Sequence, residues 1–220
     1  TDRQTLIKLI QYVFGCVTVE LGDVGELFGG LSGKSKKDFE INCNAKYVTY
    51  TGLFNNLSIN ENCLADVRIN PGEKQNVLRS GDVIFTGSSE TPDEVAYSSV
   101  MTKSFNEDVY LNSFCIGYRA CDGLLLPEYA KHLFRCKYVR KQLVKTAMGV
   151  TRFNVSKERL KRVRIFIPPI EVQRDIASIL DKFSTMTISL IDGLPAEIKL
   201  RRQQYEYYRD ELLSFKLTNV

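Results

Sequence analysis

Two adjacent prolines, Pro168 and Pro169 in "RIFIPPIEV", constrain the fold more than any other feature of the chain. Proline fixes φ at about −65° and lacks a backbone N–H, so neither a β-ladder nor a helix interior can run through the pair. Secondary structure must therefore change there. Before the prolines, apolar residues alternate or come in short β-branched runs broken by glycine and polar turns; after them they recur at steps of mostly three and four.

Residues 1–14 read as a short amphipathic helix with Leu6, Ile7, Leu9, Ile10 and Val13 on one side. "CVTVELGDVGELFGG" then reads as a strand that breaks into the flexible, basic loop "GGLSGKSKKDFE". From Ala45 to Asn112 strand signals alternate with turns: "KYVTYTGLF", the Pro71-Gly72 turn, "LRSGDVIFT", the small-polar loop "GSSETPDE", and then "DVYLNSFCIGYRA". No helical periodicity intervenes, which predicts one mixed or antiparallel sheet. Pro127 suits the first turn of a helix that carries Leu133, Phe134, Tyr138, Leu143 and Ala147 and stops at Gly149. Ser156 is placed to cap a short helix, "KERLKR", and "VRIFI" is the last strand.

Beyond the prolines, Ile176, Leu180, Phe183, Leu190 and Leu194, then Ile198, Tyr205, Tyr208, Leu212 and Phe215, form a seam of coiled-coil type. The pattern slips around "IDGLPAEI", where Gly193 and Pro195 must bend or interrupt the helix. A helix from Glu171 to Phe215 would reach about 65 Å at about 1.5 Å per residue, too long to bury its stripe on its own domain. A partner helix is expected. Tyr207, Arg201, Arg202 and Arg209 fall off the seam and are the residue types that interfaces favour.

Charge is unevenly placed. From Pro127 to Phe166 twelve Lys and Arg face two Glu, while the rest of the chain is mildly acidic within a net charge of +4. A basic stretch on an acidic body is the footprint of a polyanion binder. Candidate enzymatic signatures are missing: no GxSxG elbow, HExxH, Walker phosphate loop or strand-linked GxGxxG occurs, and the single Pro-Pro, in "IPPI", lacks the polar and aromatic neighbours of an amino-methyltransferase loop. His132 is the lone imidazole, and the six cysteines show no CxxC spacing, so no metal site and no catalytic residue is expected. Without a signal-peptide pattern or an apolar run long enough to span a bilayer, the expected location is cytoplasmic.

Three loops carry chemistry suited to nucleic acid. Lys34, Lys36 and Lys37 sit among glycines that would let backbone N–H groups approach an anion. Ser88 and Ser89, in "FTGSSETPDE", together with the nearby carboxylates, suit base edges. "MGVTRFNVSKERLKR" adds Thr151, Arg152 and Asn154, which can grip guanine or adenine, beside a cluster able to hold phosphate.

The order of "ELGDVGELFGGLSGKSKKDFE", "SGDVIFTGSSETPDE", "YLNSFCIGYRA", "GVTRFNVSKERLKRVRIFIPPIEVQRDIASILDKF" and "GLPAEIKLRRQQYEYYRDELLSF" resembles the specificity (S, HsdS) subunit of type I restriction-modification systems over nearly the whole chain. That resemblance implies an α+β fold: a target recognition domain with a mixed β-sheet, residues 1–168, and a conserved long helix, residues 169–220, that pairs antiparallel with a partner helix. It implies a non-catalytic subunit that reads one half of a bipartite site in double-stranded DNA. Modification (M) subunits would carry S-adenosylmethionine and restriction (R) subunits would use ATP, leaving this chain without a cofactor. A complete S subunit resembles two such units in tandem, whereas this sequence holds one: it is either a half-subunit that dimerises or half of a longer chain, and in either case the C-terminal helix is expected to associate, as a homodimer in the first. On this reading Lys34, Lys36, Lys37, Lys145, Lys157, Lys161 and Arg162 neutralise phosphates, and Ser88, Ser89, Thr151, Arg152 and Asn154 meet base edges. The competing expectation is an interaction or inhibitor protein of the same fold that reads no DNA.

Overall fold

The computed structural model describes residues 2–189 and 195–214. Helix α1 (Asp2–Phe14) leads into β1 (Val17–Glu20) and β2 (Gly25–Gly29). Strand β3 (Ala45–Val48), helix α2 (Tyr50–Asn55) and strand β4 (Leu64–Val67) follow. Five strands then run in succession: β5 (Val83–Thr86), β6 (Ser88–Ser89), β7 (Ser98–Val100), β8 (Val109–Leu111) and β9 (Cys115–Ala120). Helices α3 (Pro127–Leu133) and α4 (Lys137–Val144) precede β10 (Ala147–Met148), β11 (Phe153–Val155), α5 (Lys157–Lys161) and β12 (Arg164–Ile167). Two longer helices close the described chain, α6 (Ile170–Ser189) and α7 (Pro195–Leu212).

The expected single sheet is instead four small ones, ordered β1-β12, β10-β11-β6, β2-β9-β5-β7 and β4-β3-β8. Glycine and polar turns cut the strands to six residues or fewer, too short to carry one continuous ladder. Among the strands of the described residues, β3 and β8 pair in parallel and the other pairs are antiparallel. "KYVTYTGLF" is not one strand: after β3 the Thr49 hydroxyl accepts from the Gly52 N–H at 3.0 Å, capping α2, and Leu53 is fully buried. A local cap and a buried side chain override the strand propensity of Tyr and Thr there. "DVYLNSFCIGYRA" likewise splits into β8 and β9 around the 112–114 turn.

The helix expected from Pro127 to Gly149 breaks at Cys136, whose ψ of 151° is extended. The Lys137 N–H left over at the start of α4 donates to Asp210 of α7 at 2.9 Å. That contact satisfies one of the orphan donors every helix start carries. The break also lets Leu133 and Phe134 on one side, and Val139 and Leu143 on the other, enter one core with Phe85 and Tyr118. Two further clusters lie around Val48 and Ile84 and around Leu31 and Val67.

The same main core contains Ile176, Ala177, Leu180 and Leu213, so residue 168 marks a change of secondary structure and not a break in packing. Here the expectation of one continuous helix of about 65 Å is corrected. By length α6 spans about 30 Å and α7 about 27 Å, and α7 packs back on α6 and on α3 of the same chain. Ile176 and Leu180 are buried against their own domain. Phe183 stacks on Tyr208 with ring centroids 5.1 Å apart, and Tyr205 and Leu212 pack against the main core. Leu190, Leu194, Phe215 and the side chain of Ile198 lie outside the described residues.

His132 joins three helices. It is fully buried on α3, with Nε2 2.8 Å from Asp181 Oδ1 on α6 and Nδ1 2.9 Å from the Tyr205 hydroxyl on α7. A carboxylate only accepts, so Nε2 carries the proton and Nδ1 accepts from Tyr205. Burial pulls the His132 pKa down against the opposing pull of Asp181. It is a core residue.

Candidate nucleic-acid interface

Strands β6, β10 and β11 bring together residues far apart in sequence. Asn154 pairs with Ser88 and Phe153 with Ser89 in an antiparallel ladder, and the 149–152 loop projects from it as a hairpin. Gly149 makes that loop possible. Its φ is +136°, and an added Cβ would lie 2.0 Å from the Arg152 carbonyl oxygen. Arg152 Nη2 donates to Ser88 Oγ at 3.2 Å, and its guanidinium lies 5.6 Å from the centre of the exposed Phe114 ring. Behind it the Tyr50 hydroxyl donates to the Ser88 carbonyl at 2.9 Å.

Tyr50, Ser88, Ser89, Glu90, Glu94, Phe114 and Arg152 line a recess of about 420 Å³. Ser88 and Ser89 are its floor, 7% and 8% exposed, so their hydroxyls chiefly position neighbours: Ser88 accepts from Arg152, and Ser89 Oγ lies 3.2 Å from Thr91 Oγ1. Thr151, Arg152 and Asn154 are exposed. Tyr50 and Phe114 went unread in the sequence. For Phe114 a signal did exist: Asn112 Oδ1 accepts from its N–H at 2.9 Å, an Asx turn that "NSF" encodes and that holds the ring outward.

The basic stretch divides into two populations. Arg135 donates to the carbonyls of Ser98, Leu53, Phe54 and Asn56 and lies 3.5 Å from the Tyr97 ring centre. Burial pulls its pKa down to about 10, which still leaves it charged at neutral pH. Arg140 binds the carbonyls of Ala96, Asp93 and Val95, and Lys131 binds Asp181 at 2.7 Å. These cations hold the fold together, so the charge count overstates the surface field. The rest form an exposed ridge: Lys137, Lys141 and Lys145 line one recess of about 390 Å³ beside Asp93 and Arg140, and Lys145, Arg159 and Arg162 line the next. Lys157 lies near the ridge on α5, with Nζ against Gly29. Lys161, also exposed, pairs with Glu158 at 2.9 Å.

The glycine–lysine loop departs from the anion-cradle expectation. Gly30 packs so tightly on Asn112 that a Cβ would lie 2.0 Å from its carbonyl oxygen, and Leu31 N donates to Leu111 O at 2.8 Å. Gly30 thus serves internal close packing. Lys34 is buried, its ammonium bound to the Glu73 carboxylate and, at 2.6 Å, to the Arg68 carbonyl. It has no face for a phosphate. Lys36 and Lys37 are exposed in a 3-10 turn that Ser35 and Asp38 cap reciprocally, Lys36 lying 3.6 Å from Glu40.

Among the described residues all six cysteines are free thiols, no cluster of His, Cys, Asp and Glu could hold a metal, and no helix is long and apolar enough to cross a membrane. What the geometry supplies is donors and acceptors on a fixed hairpin and, in the same chain, an exposed row of cations.

Residues 15–200 match the sequence profile of the type I restriction modification DNA specificity domain, and the chain belongs to that family. Among curated proteins it is 31% identical over 143 residues to a Haemophilus influenzae protein named as a type I restriction enzyme specificity subunit, covering 65% of this chain and 34% of that one. It is 41% identical over 93 residues to an Escherichia coli type I restriction enzyme specificity subunit, covering 41% of this chain and 22% of the relative. Among solved structures, the HsdS subunit of Thermoanaerobacter tengcongensis superposes with a TM-score of 0.56 at 22% identity, over 96% of this chain and 50% of that one. The S subunit of M. genitalium gives 0.53 at 14% identity, over 86% and 44%. The fold is therefore shared with the S subunits, of several small sheets and C-terminal helices, while this chain spans about half the length of those solved proteins.

Proposed function

We propose that this chain is a DNA sequence-specificity unit of a type I restriction-modification enzyme, acting in the cytoplasm, that reads one half of a bipartite site and leaves catalysis to other subunits. The observation that carries this reading is the exposed Arg152 on a hairpin fixed by Gly149 and Ser88, set in the same chain as an exposed row of Lys and Arg. Lys137, Lys141, Lys145, Arg159 and Arg162 neutralise phosphates and set the register, and the hairpin meets base edges. Co-purification with M subunits followed by methylation mapping tests it. Methylation at one bipartite sequence is the expected result; no M-subunit binding and no enrichment of any duplex over random DNA would instead favour an inhibitor or interaction protein of the same fold.

The helix pair supplies the spacing between half-sites. Since Ile176 and Leu180 are spent on the chain's own core, a different stripe serves association. Val172 and Ile179 lie seven residues apart on the exposed side of α6, each 40% exposed, and α7 exposes Leu200 and Tyr207 at the same interval. A repeat of seven is the signature of a helix seam that wants a partner. The relatives have room for a second unit of this size, so the stripe is assigned to the helices of a second copy, paired isologously to form a homodimer. M and R subunits then dock on the assembled helices.

A further inference from the structure

We infer that the recess beneath the 149–152 hairpin reads one G·C base pair through its major-groove edge, with Arg152 on the guanine and Glu94 on the cytosine. The inference rests on the DNA reading proposed above and specifies its chemistry. Arg152, Glu90 and Glu94 all line the recess. Arg152 gives a hydrogen bond to Ser88, and Glu94 accepts one from the Thr91 hydroxyl. A cation and a carboxylate thus share one cavity, each oriented by a hydroxyl and neither spent on the other. Two carboxylates on the rim repel a phosphate, which excludes the sugar-phosphate backbone as the occupant. The occupant must offer acceptors to the guanidinium and a donor to the carboxylate side by side.

In the major groove guanine presents N7 and O6, two adjacent acceptors that a guanidinium can bridge, and its partner cytosine presents the N4 amino donor. An A·T pair offers adenine N7 alone beside the N6 donor, so a bidentate arginine fits it poorly, and the thymine edge gives a carboxylate no donor. Phe114 and Tyr50 flank the site as apolar walls. Ser88 and Phe114 hold Arg152 from two sides. Glu94 is preferred over Glu90 because Thr91 fixes one of its oxygens, and a pre-oriented acceptor loses less freedom on binding.

The full chain, assembled with its M subunits, first selects a preferred duplex from a random pool. That duplex is then rebuilt with 7-deazaguanine, which removes the N7 acceptor, at one guanine at a time. Wild type should lose affinity roughly five- to 150-fold at one position. Arg152→Ala should be indifferent at that position and still sensitive to mismatches elsewhere; Glu94→Gln should relax preference at the same base pair, and Glu90→Gln should leave it intact. Thermal melts of the three variants matching wild type confirm folding, as expected for exposed side chains. Equal loss by Arg152→Ala on every duplex, or a Glu94→Gln effect at a different pair, overturns the assignment while DNA reading stands. Failure of wild type to enrich any duplex overturns both.

Discussion

His132→Leu separates a core histidine from a replaceable one. The substitution keeps much of the side-chain volume and removes two hydrogen bonds, 2.8 Å to Asp181 and 2.9 Å to Tyr205. Asp181 is 39% exposed and retains Lys131, so water and the ammonium soften its loss. Tyr205 is different. Burial pushes its pKa up to about 12, and its hydroxyl would be left without its histidine acceptor in a partly buried position. A stranded buried hydroxyl costs about 1–3 kcal/mol, and a lost bond to a charged acceptor about 1.5–3, the lower end applying to Asp181. The sum is about 2.5–4.5 kcal/mol. At a slope of roughly 2 kcal/mol per molar urea, the unfolding midpoint should fall by about 1–2 M. Because the bonds tie α7 to α3 and α6, limited proteolysis should also cut α7 earlier in the variant. A midpoint shift under about 0.5 M with unchanged α7 protection would refute the junction.

Acid should act at the same junction. Above the ordinary histidine pKa of 6.5 the imidazole is neutral folded and unfolded, and pH has no effect through it. Below 6.5 the unfolded chain takes a proton that burial, Lys131 and Arg209 deny the folded one, so wild-type stability should fall down to the depressed folded pKa and His132→Leu should be flatter in that window. Lys34→Met should lower the melting temperature, since it removes the ammonium bound to Glu73 and the Arg68 carbonyl, yet leave the salt dependence of DNA binding unchanged; Lys145→Ala should lower the logarithmic salt slope by about 1 without unfolding. Gly149→Ala forces a side chain into a φ of +136° and should distort the hairpin at a cost of about 1–3 kcal/mol, abolishing base selectivity and lowering the melting temperature by a few degrees. Ile179→Asp should lower self-association in sedimentation and change monomer stability by about 0.5 kcal/mol or less, because its side chain faces out.

Local chemistry was legible in the sequence wherever a single residue decides the backbone. Pro168 and Pro169 ended the last strand, Ser156 capped α5 and Pro127 opened α3, as the residue types require. Long-range choices were not. Nothing in "KYVTYTGLF" states that Leu53 will be buried and pull the segment into a helix, and nothing in a count of lysines and arginines distinguishes Arg135, clamped on four carbonyls, from Lys145 in the open. The seam at Ile176 and Leu180 was visible as a stripe, but a stripe does not name its partner. Periodicity shows that an apolar face is covered; only the fold shows by what. The recess at Arg152 was half legible, since Ser88 and Arg152 lie 64 residues apart and were singled out for their chemistry before the ladder joined them.

The pairing of β1 with β12 sets Val17 opposite Ile167, so the two ends of the segment between α1 and α6 stand about 5 Å apart on neighbouring strands. Gln11 fastens the approach further, donating to the carbonyls of Ile167 and Pro168 at 3.0 and 3.1 Å. Closure by two strands is not independence, however: Ile176, Ala177 and Leu180 of α6 and Ile7 of α1 share the main core, so any segment spliced between Cys16 and Pro168 would have to supply that packing as well as the two boundary strands.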